Sequence, residues 1–95
     1  MIVLIGDNQY TVPKFTFGNI CKLEELGMEF SKADKRIFSN LLPLVALTTN
    51  KNIKEAAELI ENNPKQFNEV SKVLFTALGE SDFFRQMAEQ ETQQE

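Results

Sequence analysis

The sequence has no histidine, no tryptophan and a single cysteine among its 95 residues. Without histidine, imidazole cannot act as a general acid, a general base or a metal ligand. Cys21 has no second cysteine in the sequence with which to form a disulfide. It lies among apolar helix positions, where a thiol usually packs as a small hydrophobic side chain. Imidazole catalysis, histidine metal sites and an internal disulfide are therefore excluded.

Glycine is scarce and dispersed, and carboxylates cluster in only two places. The four glycines lie far apart, so no phosphate-binding loop or dinucleotide fingerprint is present. Glu24 and Glu25 are adjacent, and adjacent helix positions diverge by about 100°. Glu55, Glu58 and Glu61 form a row that is typical of a solvated helix face. We therefore predict a protein that is not an enzyme, with no catalytic residues, no cofactor and no metal site.

Long hydrophobic runs are also missing. The richest run, residues 41–47, is far shorter than the roughly 20 residues that span a bilayer. Residues 1–5 are apolar but lack the basic region and the small-residue cleavage site of a signal peptide. These observations predict a cytoplasmic protein without a membrane partner.

The hydrophobic content suffices for one core. Forty-two per cent of the residues are hydrophobic and eight are phenylalanine, which is too apolar for a disordered chain. Ninety-five residues leave no room for a second core. We predict a single domain over residues 1–89, followed by a disordered tail over residues 90–95, where no apolar residue occurs.

The first part of the chain favours a β-hairpin over residues 1–13. Two runs rich in β-branched and aromatic residues, residues 1–5 and 10–12, flank the turn-forming residues 6–9. Pro13 prevents the second strand from continuing as a central strand. Two strands alone are marginally stable in water, so the hairpin has to pack on helices or pair with another chain.

The rest of the chain has helical periodicity. Thr16 is predicted to cap a first helix that ends before Gly27, and Asn52 to cap a third helix with Glu55 in a capping box. Asn63 is predicted to cap a fourth helix with Pro64 at its first position. The predicted helices cover residues 16–26, 34–49, 53–62, 64–78 and 82–89. The fold class is mainly α (α+β), an N-terminal hairpin followed by four to five short helices around one core.

The apolar stripes of the helices predict which side chains enter the core. In the first helix the stripe consists of Phe17, Ile20, Leu23 and Leu26. In the second it consists of Ile37, Phe38, Leu41, Leu42 and Val45. Leu44 and Leu47 widen the second stripe, so we expect the second helix to be the central one. Pro43 lies inside it and predicts a kink.

A helix-turn-helix DNA reader is one function to weigh, because a short connection, residues 48–51, separates the second and third helices. The third helix would enter the groove, and it offers Glu55, Glu58 and Glu61 against Lys54 alone. Such a surface repels phosphate. The net charge of −4 also argues against nucleic acid as a partner.

The order of these segments resembles the tail assembly chaperones of long-tailed bacteriophages. The hairpin has the form I-x-L-x-G-x-x-Y-x-V with one residue displaced, between Ile2 and Val12. The sequences TFG at residues 16–18 and KLEELG at residues 22–27 follow it. The likeness continues in the helix pair that contains residues 44–47 and 55–60, and ends with Phe83 and Phe84.

The resemblance implies a non-enzymatic scaffold. Members of this family coat the tape measure protein in the host bacterial cytoplasm before tail tube subunits polymerise, and they are absent from the mature virion. A ribosomal frameshift often yields a longer form that recruits the tail tube protein. The family also tends to self-associate, so the resemblance implies a homo-oligomer.

Two groups of apolar residues are candidate partner-binding sites. The first is Phe83, Phe84 and Met87, on a segment too short to be stable alone. These side chains either fold back over the core or meet a partner. The second is Ile2 and Leu4, on the hairpin. A stand-alone regulatory or adaptor module that binds another protein, with no phage role, is the competing function.

Overall fold

The computed structural model describes residues 1–30, 37–83 and 85–86. Within these residues, a two-stranded antiparallel sheet comes first and is followed by four α-helices. This architecture confirms the predicted fold class. The elements are β1 (Ile2–Ile5), β2 (Asn8–Thr11), α1 (Phe17–Glu25), α2 (Ile37–Thr49), α3 (Ile53–Glu61), a 3₁₀ turn (Pro64–Gln66) and α4 (Phe67–Gly79). Residues 82, 83, 85 and 86 are also helical, within the segment for which a last short helix was predicted.

The hairpin turn is shorter than predicted. Ile5 pairs directly with Asn8, so only Gly6 and Asp7 form the turn, and Asn8 and Gln9 belong to β2. Gly6 has a φ of 65°. Asp7, the second central residue, does not have a positive φ. A turn in which only the first central residue has a positive φ, and in which that residue is glycine, is a type II′ hairpin turn. The polar side chains of Asn8 and Gln9 suggested a loop, but both residues extend the pairing.

Helix α1 begins and ends as predicted. The Thr16 hydroxyl accepts a hydrogen bond from the Asn19 N–H at 3.3 Å. At the other end Gly27 has a φ of 107° and donates to the Glu24 carbonyl, while the Met28 N–H donates to the Leu23 carbonyl at 2.9 Å. This is a Schellman motif, and Met28 is buried beside it.

Phe17 is not a core residue, contrary to the prediction. Its side chain is 61% exposed, whereas Ile20 and Leu23 on the same stripe are buried. Phe17 is the first residue of α1, where the helix has only begun to pass over the core. The periodicity of the apolar residues predicted the correct face of the helix. It did not predict how much of that face the rest of the protein covers.

Helix α2 is the central helix, as predicted. Leu41, Leu44 and Val45 are fully buried, and α2 contacts α1, α3, α4 and β2. Pro43 is buried and lies inside the helix, which continues to Thr49. The helix then ends at Asn50, whose φ is 59°.

Phe38 is a second correction to the predicted core. It lies near the start of α2 and is 75% exposed. Between Asn40 and Ala46 every residue of the helix is buried except Leu42, which is half-buried. Phe38 precedes that section, so its ring packs on the surface instead of entering the core.

The predicted side-chain cap is confirmed for α3 and is wrong for α4. The Asn52 side chain accepts from the Glu55 N–H at 2.8 Å and caps α3, as predicted. Asn63 does not cap α4 with its side chain. Its amide instead donates to the Leu59 carbonyl at 2.8 Å, because the chain turns directly from α3 into the 3₁₀ turn that begins at Pro64. Consequently α4 begins at Phe67, three residues later than predicted.

One core joins all of these elements. The inner face of the hairpin lies on α4 and α2. The core includes side chains from β1 and from every α-helix: Val3, Ile5, Ile20, Leu23, Leu41, Leu44, Val45, Ala56, Val70, Leu74 and Leu78.

Candidate protein-binding surface

The outer face of the hairpin carries exposed apolar side chains. Val3 and Ile5 point inward and are 2% and 1% exposed, whereas Ile2 and Leu4 point outward and are 59% and 48% exposed. This alternation follows from the two-residue period of a strand. Met1, beside Ile2 in the sequence, is also exposed. The two hairpin residues predicted as partner-binding therefore share one open face.

Gln66 holds the turn of the hairpin against the start of α4. Its side-chain Oε1 accepts from the Gly6 N–H at 2.6 Å, and its Nε2 donates to the Gly6 carbonyl at 3.3 Å. One side-chain amide thus satisfies both backbone groups of Gly6. We call this pair of bonds the Gln66 clamp. It fixes the turn end of the hairpin, so Ile2 and Leu4 lie on a strand that is held in place.

Phe83 folds back onto the body of the protein. Its ring centroid lies 5.3 Å from that of Phe17, with an interplanar angle of 52°. Phe83 is half-buried and packs against the core, while Phe17 is largely exposed. This ring pair lies beside a concavity between residues 13–16 and the end of α4. Phe83 was predicted either to fold back over the core or to meet a partner, and in the structure it folds back. Its partner-binding role stays a prediction.

A second ring pair was not predicted from the sequence. Phe38 stacks on Phe67 with a centroid distance of 5.1 Å and an interplanar angle of 21°. Phe67 begins α4 and is half-buried, whereas Phe38 is exposed. The signal in the sequence is weak, since it consists of a phenylalanine near the first turn of two separate helices.

The structure brings together only some of the predicted site residues. Ile2 and Leu4 share the outer face of β1, and Phe83 contacts Phe17. The side chains of Phe84 and Met87 lie outside the described residues, so their predicted role is unchanged.

The charged and nucleophilic residues are dispersed. Glu55, Glu58 and Glu61 are exposed on α3, and Cys21 is half-buried on α1. Among the described residues, no group of three or more histidine, cysteine, aspartate or glutamate side chains is placed to hold a metal ion. The surface features that stand out are apolar side chains on the hairpin and two ring pairs.

Comparison with protein-family models, with curated proteins and with solved structures finds no match for this chain. Within the described part of the chain, no helix has both the length and the apolar character needed to cross a bilayer.

Proposed function

We propose that this chain is a non-enzymatic tail assembly chaperone that binds a tape measure protein and assists tail tube assembly. The observation that supports the proposal best is the outer face of β1. Ile2 and Leu4 are exposed there on a hairpin that the Gln66 clamp fixes. Large apolar side chains held open on a rigid strand lower the ordering cost of binding, because the strand does not have to fold at the partner.

The chemistry of these surfaces fits a long, apolar protein partner. A tape measure protein is a long amphipathic helical chain, which aggregates if its apolar face stays bare. The exposed rings of Phe17 and Phe38 supply further apolar contacts at separate places on the surface. Several small patches suit a coating protein, since each contact is weak enough to be displaced when tube subunits arrive.

The finer parts of the proposal come from the resemblance. The protein would act in the host bacterial cytoplasm, would be absent from the mature virion, and would recruit the tail tube protein through a frameshifted longer form. A helix-turn-helix role is disfavoured by the exposed Glu55, Glu58 and Glu61 on α3.

Co-expression tests the proposal. The tape measure protein encoded beside this chain's gene is expressed alone, with the wild-type chain, and with an Ile2→Ser/Leu4→Ser variant. We expect the tape measure protein to be insoluble alone and soluble in complex with the wild-type chain. The double variant should lose most of this effect while retaining its fold, because both side chains are exposed.

The matched control is Gln9→Ser/Thr11→Ser. It changes the residues that lie opposite Leu4 and Ile2 on the same outer face but removes no large apolar side chain. If the tape measure protein stays insoluble with the wild-type chain, or if the locus encodes no tape measure protein, the proposal is wrong. The regulatory or adaptor function then becomes the better account.

A further inference from the structure

The outer edge of β1 has unpaired backbone groups. In a hairpin with a two-residue turn, the two residues that flank the turn form a hydrogen-bonded pair. Along the ladder, hydrogen-bonded pairs then alternate with non-hydrogen-bonded pairs, whose N–H and carbonyl groups point away from the partner strand. Ile5 and Asn8 flank the turn, and the Val12 N–H donates to the Met1 carbonyl at 2.9 Å, as this alternation requires. Leu4 and Ile2 therefore direct their N–H and carbonyl groups away from β2. Within the described residues, these groups have no backbone partner outside the hairpin.

We infer that this edge pairs with the same edge of a second copy of the chain, in an antiparallel arrangement centred on Val3. Ile2 then lies opposite Leu4 of the other copy, and Leu4 opposite Ile2. Both pairs are of the hydrogen-bonded type, so every outward N–H and carbonyl of Ile2 and Leu4 gains a partner. The arrangement is symmetric about a two-fold axis and closes as a dimer.

The Gln66 clamp excludes one alternative register. Every second residue of β1 directs its backbone groups away from β2, and Gly6 is the next such position after Ile2 and Leu4. Both the N–H and the carbonyl of Gly6 already bond to Gln66. A register that places Leu4 opposite Leu4 would bring Ile2 to Gly6 and would have to break the clamp. A shift by one residue would place an exposed side chain opposite a buried one. The register centred on Val3 avoids both conflicts.

The composition of β1 favours edge pairing with another strand. The strand reads IVLI, with no lysine, proline or other residue of the kinds that commonly protect an edge. The outward residues of β2 are Gln9 and Thr11, which are polar. A partner strand at the β1 edge adds apolar cross-strand contacts that the β2 edge cannot supply. The self-complementary sequence Ile2-Val3-Leu4 argues for a second copy as the occupant.

The pairing has a consequence for the outer face. Residues directly opposite each other lie on the same face of a sheet, so Ile2 and Leu4 of both copies form one apolar surface on a four-stranded sheet. The strands are short, and interfaces of this size are weak. We expect a dimer in exchange with the monomer, whose formation requires no other protein and therefore does not depend on the proposed function.

Backbone N-methylation tests the inference at the edge itself. Cys21 offers a native ligation junction, so residues 1–20 can be synthesised and joined to residues 21–95. N-methyl-Leu4 removes one outward N–H of β1 and leaves the hairpin bonds intact. N-methyl-Gln9 removes the equivalent outward N–H of β2. Sedimentation velocity from low micromolar to millimolar concentration measures the dimer fraction, and circular dichroism checks the fold.

We expect the wild-type chain and N-methyl-Gln9 to show the same concentration-dependent dimer, and N-methyl-Leu4 to remain a monomer at every concentration. The variants Leu4→Lys and Gln9→Lys form a second pair, in which only the first should abolish the dimer. A wild-type chain that stays monomeric overturns the inference. So does a dimer that survives N-methyl-Leu4, or one that N-methyl-Gln9 also removes.

Discussion

The side-chain amide of Asn40 pairs with the peptide backbone of Glu29. Its Nδ2 donates to the Glu29 carbonyl and its Oδ1 accepts from the Glu29 N–H, both at 3.1 Å. Asn40 is 1% exposed and lies in the first turns of α2, whereas Glu29 lies in the segment after α1. One buried amide thus connects the end of α1 to the central helix. This pair of bonds is the counterpart of the Gln66 clamp, where another side-chain amide satisfies both backbone groups of Gly6.

Asn40→Ala should destabilise the protein by about 2–3 kcal/mol, because it removes both buried hydrogen bonds between the Asn40 amide and the Glu29 backbone. Asn40→Asp should cost at least as much, since a carboxylate cannot donate to the carbonyl and its charge would be buried. Urea denaturation gives the free energies of unfolding. Asn68→Ala, at an exposed position of α4, is the control. Equal stability of Asn40→Ala and Asn68→Ala would contradict the structural role of Asn40.

Gln66→Ala should loosen the hairpin turn without unfolding the protein. Only the Gly6 backbone loses its partners, and the strands keep their own ladder. Amide hydrogen exchange should accelerate at Gly6 and change little at Leu74 in the core of α4. Unchanged exchange at Gly6 would show that the clamp does not form in solution.

Leu41→Asp should unfold the domain, whereas Glu58→Ala should leave it folded. Leu41 is fully buried in the central helix, and burying an unpaired carboxylate costs several kcal/mol, comparable to much of the stability of a small domain. Glu58 is exposed. Circular dichroism melting curves of the two variants provide the comparison. A folded Leu41→Asp protein would mean that α2 is peripheral.

Phe83→Ser should lower stability by less than about 3 kcal/mol, the lower limit for truncating a fully buried phenylalanine. The ring is half-buried and contacts Phe17, so some packing is lost. Phe38→Ser is the matched control, because that ring stacks on Phe67 but is 75% exposed, and its effect on stability should be smaller.

The double variant Phe83→Ser/Phe84→Ser separates the two roles of this segment. Loss of the tape measure complex with an almost unchanged melting curve would assign binding to it. A large fall in the melting temperature would instead assign the segment to the fold. If neither property changes, the segment has no part in either, and binding has to be sought on the hairpin.

Local features of the fold were predictable and long-range ones were not. The caps at Thr16 and Asn52 and the stop at Gly27 depend on residues within one helical turn, so sequence spacing reveals them. The Gln66 clamp joins residues that are 60 positions apart, and no local pattern indicates it.

The positions of Phe17 and Phe38 show a second limit. Their spacing agrees with the apolar faces of α1 and α2, and yet both rings are largely exposed, because each is covered in part by one other phenylalanine ring instead of by the core. In the candidate site, the exposure of Ile2 and Leu4 on one face follows from the alternation of side chains along a strand. The two ring pairs depend on tertiary packing and could not be predicted.

Hydrogen exchange of this chain, measured with and without the tape measure protein from its own locus and at a concentration at which the chain alone is monomeric, tests the central claim most directly. The proposal predicts that binding slows exchange at the outward amides of Ile2 and Leu4 and in the first turn of α1 after Phe17. The exposed acidic face of α3 around Glu58 should not change. Protection confined to α3, or no protection at β1 in a complex that does form, would contradict the proposed binding surface.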